Sequence, residues 1–91
     1  MISVAVKVRL HPFLNDGKEG IFEVDGSTVG ECLKKLVELN PAFRERFFEK
    51  DGKLRNYMEV LVNTKTTFPL ELSHPVKDGD TLDVIVFLAG G

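Results

Sequence analysis

The segment Thr81-Leu82-Asp83-Val84-Ile85-Val86-Phe87-Leu88-Ala89-Gly90-Gly91 decides how this chain is read. Leu82, Val84, Val86 and Leu88 fall on one face of an extended strand, and Thr81, Asp83, Ile85 and Phe87 fall on the other. Period-two alternation rich in β-branched residues predicts a strand over Thr81–Leu88 with one row in the core. The strand runs without a linker into Ala89-Gly90-Gly91. Ile85 and Phe87 lie opposite the buried row. They either form an apolar patch on which a partner docks or are covered by a loop in a second small cluster.

The opening of the chain carries the same signal. Ile2, Val4, Val6, Val8 and Leu10 alternate with Ser3, Ala5, Lys7, Arg9 and His11, which predicts a second strongly patterned strand. Pro12 ends it, Asp16-Gly17 supplies a turn, and a strand over Glu19–Asp25 returns with Phe22 and Val24 inward. After Asp25-Gly26, Thr28 and Glu31 have the spacing of a capping box. The Thr28 hydroxyl is expected to accept from the Glu31 amide, and the Glu31 carboxylate from the Thr28 amide. Val29, Cys32, Leu33, Leu36 and Val37 recur at helical spacing, and Glu31, Lys34, Lys35 and Glu38 face away from them. Asn40-Pro41 stops this helix. A short second helix is expected over Pro41–Glu49, closed by Asp51-Gly52. A strand over Met58–Asn63 and a small edge strand near Thr67–Leu70 follow, and then the Asp78-Gly79-Asp80 turn.

One amphipathic helix covers the inner faces of that many strands only if they form a single sheet curled around it. The first and last strands, the most strongly patterned, are the natural central neighbours. The fold class is α+β, a β-grasp (ubiquitin-like) layout with a mixed four- to five-stranded sheet around one main helix. Residues 1–88 make the domain, and 89–91 are expected to be a flexible tail.

Composition narrows the function. Ninety-one residues usually make one domain, and 43% hydrophobic residues are enough for a core. Twelve basic against 14 acidic residues give a net charge of −2, without the basic excess that a nucleic-acid partner calls for. The first residues lack a basic stretch before an uninterrupted apolar run, and no segment has the length of a membrane span. No export signal and no membrane partner are therefore expected, and a cytoplasmic location is.

Few side chains are candidates for chemistry. Cys32 sits among Leu33 and Leu36 on the apolar helix face and reads as a packed, inert thiol. His11 and His74 have no further ligands at metal-binding spacing, so no metal is expected. Arg44, Arg46, Lys50, Lys53 and Arg55 interleave with Glu45, Glu49 and Asp51 as a solvated face. Asp78, Asp80 and Asp83 read as turn formers and solubilising charges, the alternative being that they steer a basic partner. No catalytic set of its own emerges.

A Gly-Gly ending a β-grasp domain, after a Gly-Asp turn and an apolar strand, resembles the ubiquitin-like sulfur carriers of the MoaD/ThiS family across essentially the whole chain. The stretch from Asn40 to Arg55 resembles the longer MoaD-like branch, whose second helical insertion the shorter thiazole-type carriers usually lack. The resemblance implies a protein that is no enzyme but a co-substrate or small subunit. An ATP-dependent E1-like adenylyltransferase would adenylate the Gly91 carboxylate. A sulfur-donating enzyme would convert it to a thiocarboxylate, and a downstream synthase of the molybdopterin or cysteine/homocysteine type would take the sulfur. The chain would bind no cofactor, since ATP is used by the activating partner. Gly90, Ala89 and Leu88 would be the tail that partners recognise, and Phe87 and Ile85 the docking residues. The residue types suit this chemistry, because glycines leave the carbonyl open to attack and pass a narrow channel. Two further roles share the features: a modifier joined to lysines through Gly91, and a non-covalent synthase subunit.

Overall fold

The computed structural model describes residues 5–87. Ile2 and Val4 of the first alternating row, and Leu88, Ala89, Gly90 and Gly91 of the proposed tail, lie outside the described residues. The first strand, β1 (Ala5–Leu10), buries Val6, Val8 and Leu10 and exposes Lys7 and Arg9, as its alternation dictates. It pairs antiparallel with β2 (Gly20–Asp25), with Val8 opposite Phe22 and Val6 opposite Val24. The connection is longer than a tight hairpin. A 3-10 turn at Pro12–Leu14 drops Leu14 into the core, and Asp16 and Gly17, both at positive φ, reverse the chain.

The main helix, α1 (Val29–Leu39), buries Val29, Cys32, Leu33, Leu36 and Val37 against the sheet. Its cap is half as expected. Thr28 Oγ1 accepts from the Glu31 amide at 3.1 Å, but Glu31 Oε1 accepts from the amide and hydroxyl of Ser27, each at 2.9 Å, and not from Thr28. Ser27 offers two donors to one carboxylate oxygen. Thr28 itself is bridged to Pro75. The Ser27 donors hold the Glu31 carboxyl below its ordinary pKa.

The second helix, α2, is Phe43–Phe47, shorter than the Pro41–Glu49 expected. Phe43 and Phe47 are buried and stacked, with ring centroids 5.1 Å apart. Phe48 is already extended and bridges Leu54 across the turn at Gly52.

After β3 (Met58–Val62), the edge strand β4 is Lys65–Thr66, earlier than the Thr67–Leu70 expected. Asn63 and Thr64 both take positive φ and turn the chain two residues sooner than its prolines suggest. Thr67–Leu70 instead crosses the sheet edge into a 3-10 turn at Glu71–Ser73. The last strand, β5 (Thr81–Val86), lies at the centre, parallel to β1 and antiparallel to β3. The order β2-β1-β5-β3-β4 makes one mixed five-stranded sheet around α1, the β-grasp arrangement. Leu82 and Val84 of β5 join Val60, Leu33 and Leu36 in one core. Each such side chain contributes roughly 1.5–3 kcal/mol by leaving water.

Candidate functional site

The end of β5 carries the residues singled out in the sequence. Ile85 stands on the outer face opposite Glu59 and is half-buried. Phe87 is 54% exposed, so no loop of the described structure seals it into a second cluster. Its main chain is held nevertheless. The Phe87 amide donates to the Tyr57 carbonyl at 2.6 Å, which extends the β5–β3 pairing one step past the strand. Tyr57 is fixed in turn by its hydroxyl, which donates to the Arg46 carbonyl at 2.9 Å, and by an edge contact with Phe13. The base of the tail is therefore anchored through Tyr57 to α2.

Arg46 and Arg55 do not belong to a solvated face, contrary to the reading of their alternating charges. The Arg46 guanidinium reaches back to the β1–β2 connection, donating to the Leu14 carbonyl at 3.0 Å and to Asp16 Oδ1 at 2.8 Å. It also lies 5.9 Å from the centroid of the Phe43 ring. Arg55 Nε donates to the Glu45 carbonyl at 2.9 Å, and its Nη1 lies 3.2 Å from Glu49 Oε2. A long, flexible side chain at an amphipathic boundary can bury its stem and still satisfy its head on carbonyls. Charge alternation alone does not reveal this.

The three aspartates near β5 are structural. Asp78 Oδ1 accepts from the Ala5 amide at 2.9 Å. Asp80 is buried and accepts from Asn63 Nδ2 and from the Lys77 amide, both at 2.9 Å, which ties the β3–β4 turn to the start of β5. Burial works to raise the Asp80 carboxyl. The hydrogen bonds, with the charges of Lys77 and His74, more than offset it and hold its pKa below the ordinary value. Asp83 forms a two-pronged pair with Arg9, at 2.6 and 3.1 Å, and that pairing raises the Arg9 pKa. Asp80 and Asp83 are thus engaged within the domain, whereas the exposed Asp78 has a partner only on Oδ1 among the described residues.

Cys32 is fully buried, and desolvation, with Glu31 and Asp25 nearby, pushes its thiol up to about 11. A thiol in that state is a poor nucleophile at neutral pH. His11 Nδ1 accepts from the Phe13 amide at 3.0 Å and His74 Nδ1 lies 2.9 Å from the Pro75 carbonyl, so each serves its own loop. Among the described residues no group of three or more His, Cys, Asp or Glu is placed to hold a metal. No helix among them is long and apolar enough to cross a membrane.

Phe87 shares its surroundings with a residue that no side-chain period points to. Phe68, 73% exposed, lines with Phe87 an open groove of about 470 Å³ whose other lining residues include Met58, Val60, Glu59 and Glu71. An aromatic beside a proline in a stretch assigned to a strand was the available signal.

A curled mixed sheet around one helix, with an exposed aromatic where the last strand leaves it, defines a small ubiquitin-like β-grasp protein. Residues 9–91 match the model of the ThiS family, and the chain belongs to that family. The matched span extends through Gly91. Small archaeal modifier protein 1 of Haloferax volcanii is 36% identical over 70 residues, 76% of this chain and 77% of that protein. Its crystal structure superposes with a TM-score of 0.75 at 28% identity, covering 96% of this chain and 99% of that one. A chain of the Amycolatopsis orientalis BexX/CysO complex gives 0.80 at 30% identity, covering 96% and 100%.

Proposed function

We propose that this protein is a sulfur carrier and not itself an enzyme, and that its reactive group is the Gly91 carboxylate. A carboxylate oxygen attacks the α-phosphorus of ATP on an E1-like adenylyltransferase, and pyrophosphate leaves. Hydrosulfide delivered by a sulfur-donating enzyme then attacks the acyl carbon. AMP departs with its bridging oxygen, one proton is released, and Gly91 ends as a thiocarboxylate. A downstream synthase of the molybdopterin or cysteine/homocysteine type takes the sulfur, all in the cytoplasm. Leu88, Ala89 and Gly90 thread the partner's channel, while Ile85 and Phe87 dock its surface.

The observation that carries this reading is the family match running through Gly91 in a chain whose one thiol, Cys32, is sealed in the core. The BexX/CysO complex supports a partner protein for a chain of this shape. The name of the Haloferax volcanii relative favours a second reading, a modifier joined to lysines through Gly91, which shares the activation step.

The test compares the intact chain with one lacking Gly91 and one whose terminal carboxylate is an amide, each mixed with the adenylyltransferase, ATP and a sulfur source. Only the intact chain should release pyrophosphate and supply sulfur to the synthase, all three sharing one circular dichroism spectrum. Sulfur transfer from the amide would show that the tail acts as a non-covalent insert. High-mass conjugates in the source cell that vanish with Gly91 would establish the modifier reading.

A further inference from the structure

We infer that the activating enzyme grips the domain at the groove between β3 and the Thr67–Glu71 segment, seating an apolar side chain between Phe68 and Phe87 and a basic one against Glu59 and Glu71. This deepens the reading of Gly91 as the substrate carboxylate and rests on it. Gly91 lies four positions beyond Phe87, and a fully extended chain of that length reaches about 14 Å. An enzyme whose active site closes on Gly91 must therefore stand against the surface around Phe87, and the groove lies inside that footprint.

The groove has the make-up of an interface centre. Phe68 and Phe87 line it together and are both more than half exposed. Exposed aromatics that a partner can bury are where binding free energy concentrates. Its charge has one sign. Glu59 and Glu71 line it, no Lys, Arg or His does, and neither glutamate forms an ion pair among the described residues. Glu59 spends one oxygen on the Thr66 hydroxyl and keeps the other. Asp83, the neighbouring acid on β5, is already matched by Arg9. Unmatched negative charge coincides with exposed aromatic surface in this groove, which selects a partner surface carrying Lys or Arg beside an apolar side chain.

The test is ATP–pyrophosphate exchange by the cognate adenylyltransferase with the full chain as the varied substrate. Phe68→Ala and Glu71→Lys should each raise KM about tenfold or more while leaving kcat within about twofold, the pattern of lost docking rather than lost chemistry. Added salt should raise the wild-type KM steeply, and the double variant Glu59→Gln/Glu71→Gln, which keeps the shape and one acceptor oxygen on each side chain, should flatten that dependence. Glu38→Lys, on the exposed face of α1, should leave KM where it was. Thermal melts confirm that each variant folds. Unchanged KM in the folded groove variants, with wild-type exchange intact, overturns the groove assignment and leaves the Gly91 reading standing. A wild-type chain that supports no exchange overturns the Gly91 reading and the groove with it.

Discussion

Replacing Arg46 by Met isolates the interaction that ties α2 to the rest of the domain. Met keeps most of the apolar stem and a sulfur for the Phe43 ring, so the loss falls on the guanidinium. Three contacts go. The hydrogen bond from a charged donor to the carbonyl of Leu14, a residue only 1% exposed, is worth about 1.5–3 kcal/mol when left unmade. The ion pair with Asp16, whose side chain is 66% exposed, adds at most about 1 kcal/mol after solvent screening. The cation–π contact with Phe43, at 5.9 Å, adds about 0.5 kcal/mol, partly returned by the Met sulfur. The expected net cost is about 2 kcal/mol, a drop of about 8–16 °C in Tm for a domain of this size. Circular dichroism melts give the number. Asp16→Asn, a backbone-neutral change because Asn tolerates the positive φ of Asp16, should cost under about 1 kcal/mol. High salt should weaken the Asp16 share and not the Leu14 share. A Met variant that melts within a few degrees of wild type would refute the reasoning and return Arg46 to the solvated face that its charge pattern suggests.

Gly26→Ala should destabilise the domain by about 1–3 kcal/mol, the usual cost of overpacking. A Cβ there would lie 2.7 Å from Cys32 Sγ and 3.1 Å from the Cys32 amide nitrogen. Adding Cys32→Ala relieves only the first contact, so denaturant melts of the pair should show a cost below the sum of the two single changes. Asp80 contributes to acid stability with a definite sign. Its folded pKa is depressed, so its stabilisation is complete above the ordinary aspartate pKa and is lost as pH falls through the lower, folded value. In urea melts from neutral pH to about pH 2, Asp80→Asn should be less stable than wild type at neutral pH and converge with it in acid. A constant gap across that range would show that the carboxylate charge contributes nothing.

The elements legible in the sequence are those whose burial follows a local period. The alternation of β1 and β5 and the 3.6-residue recurrence along α1 report their own buried faces, and the central parallel pairing follows because the two most apolar strands need neighbours on both sides. The illegible parts depend on partners distant in sequence. Arg46 is satisfied by Leu14, 32 residues away, and Tyr57 holds Phe87 through a main-chain bond that no side-chain pattern records. The β3–β4 turn comes earlier than the sequence pattern predicts because Thr64, a β-branched residue, takes a positive φ that residues of its type rarely adopt. The site divides the same way. Phe87 was visible as the outward row of a strand, whereas Phe68 and Glu71 meet it only because the early turn carries their segment back along the sheet edge.

The most direct test of the Gly91 reading is the mass of the tryptic peptide Asp78–Gly91, which begins after Lys77 and carries the terminal carboxylate. After incubation of the full chain with the adenylyltransferase, ATP and a sulfur source, this peptide should gain the mass difference of one oxygen exchanged for sulfur, and the gain should disappear when ATP is withheld. An unchanged Asp78–Gly91 peptide, or a whole added sulfur found instead on the Cys32 peptide Glu19–Lys34, would contradict it.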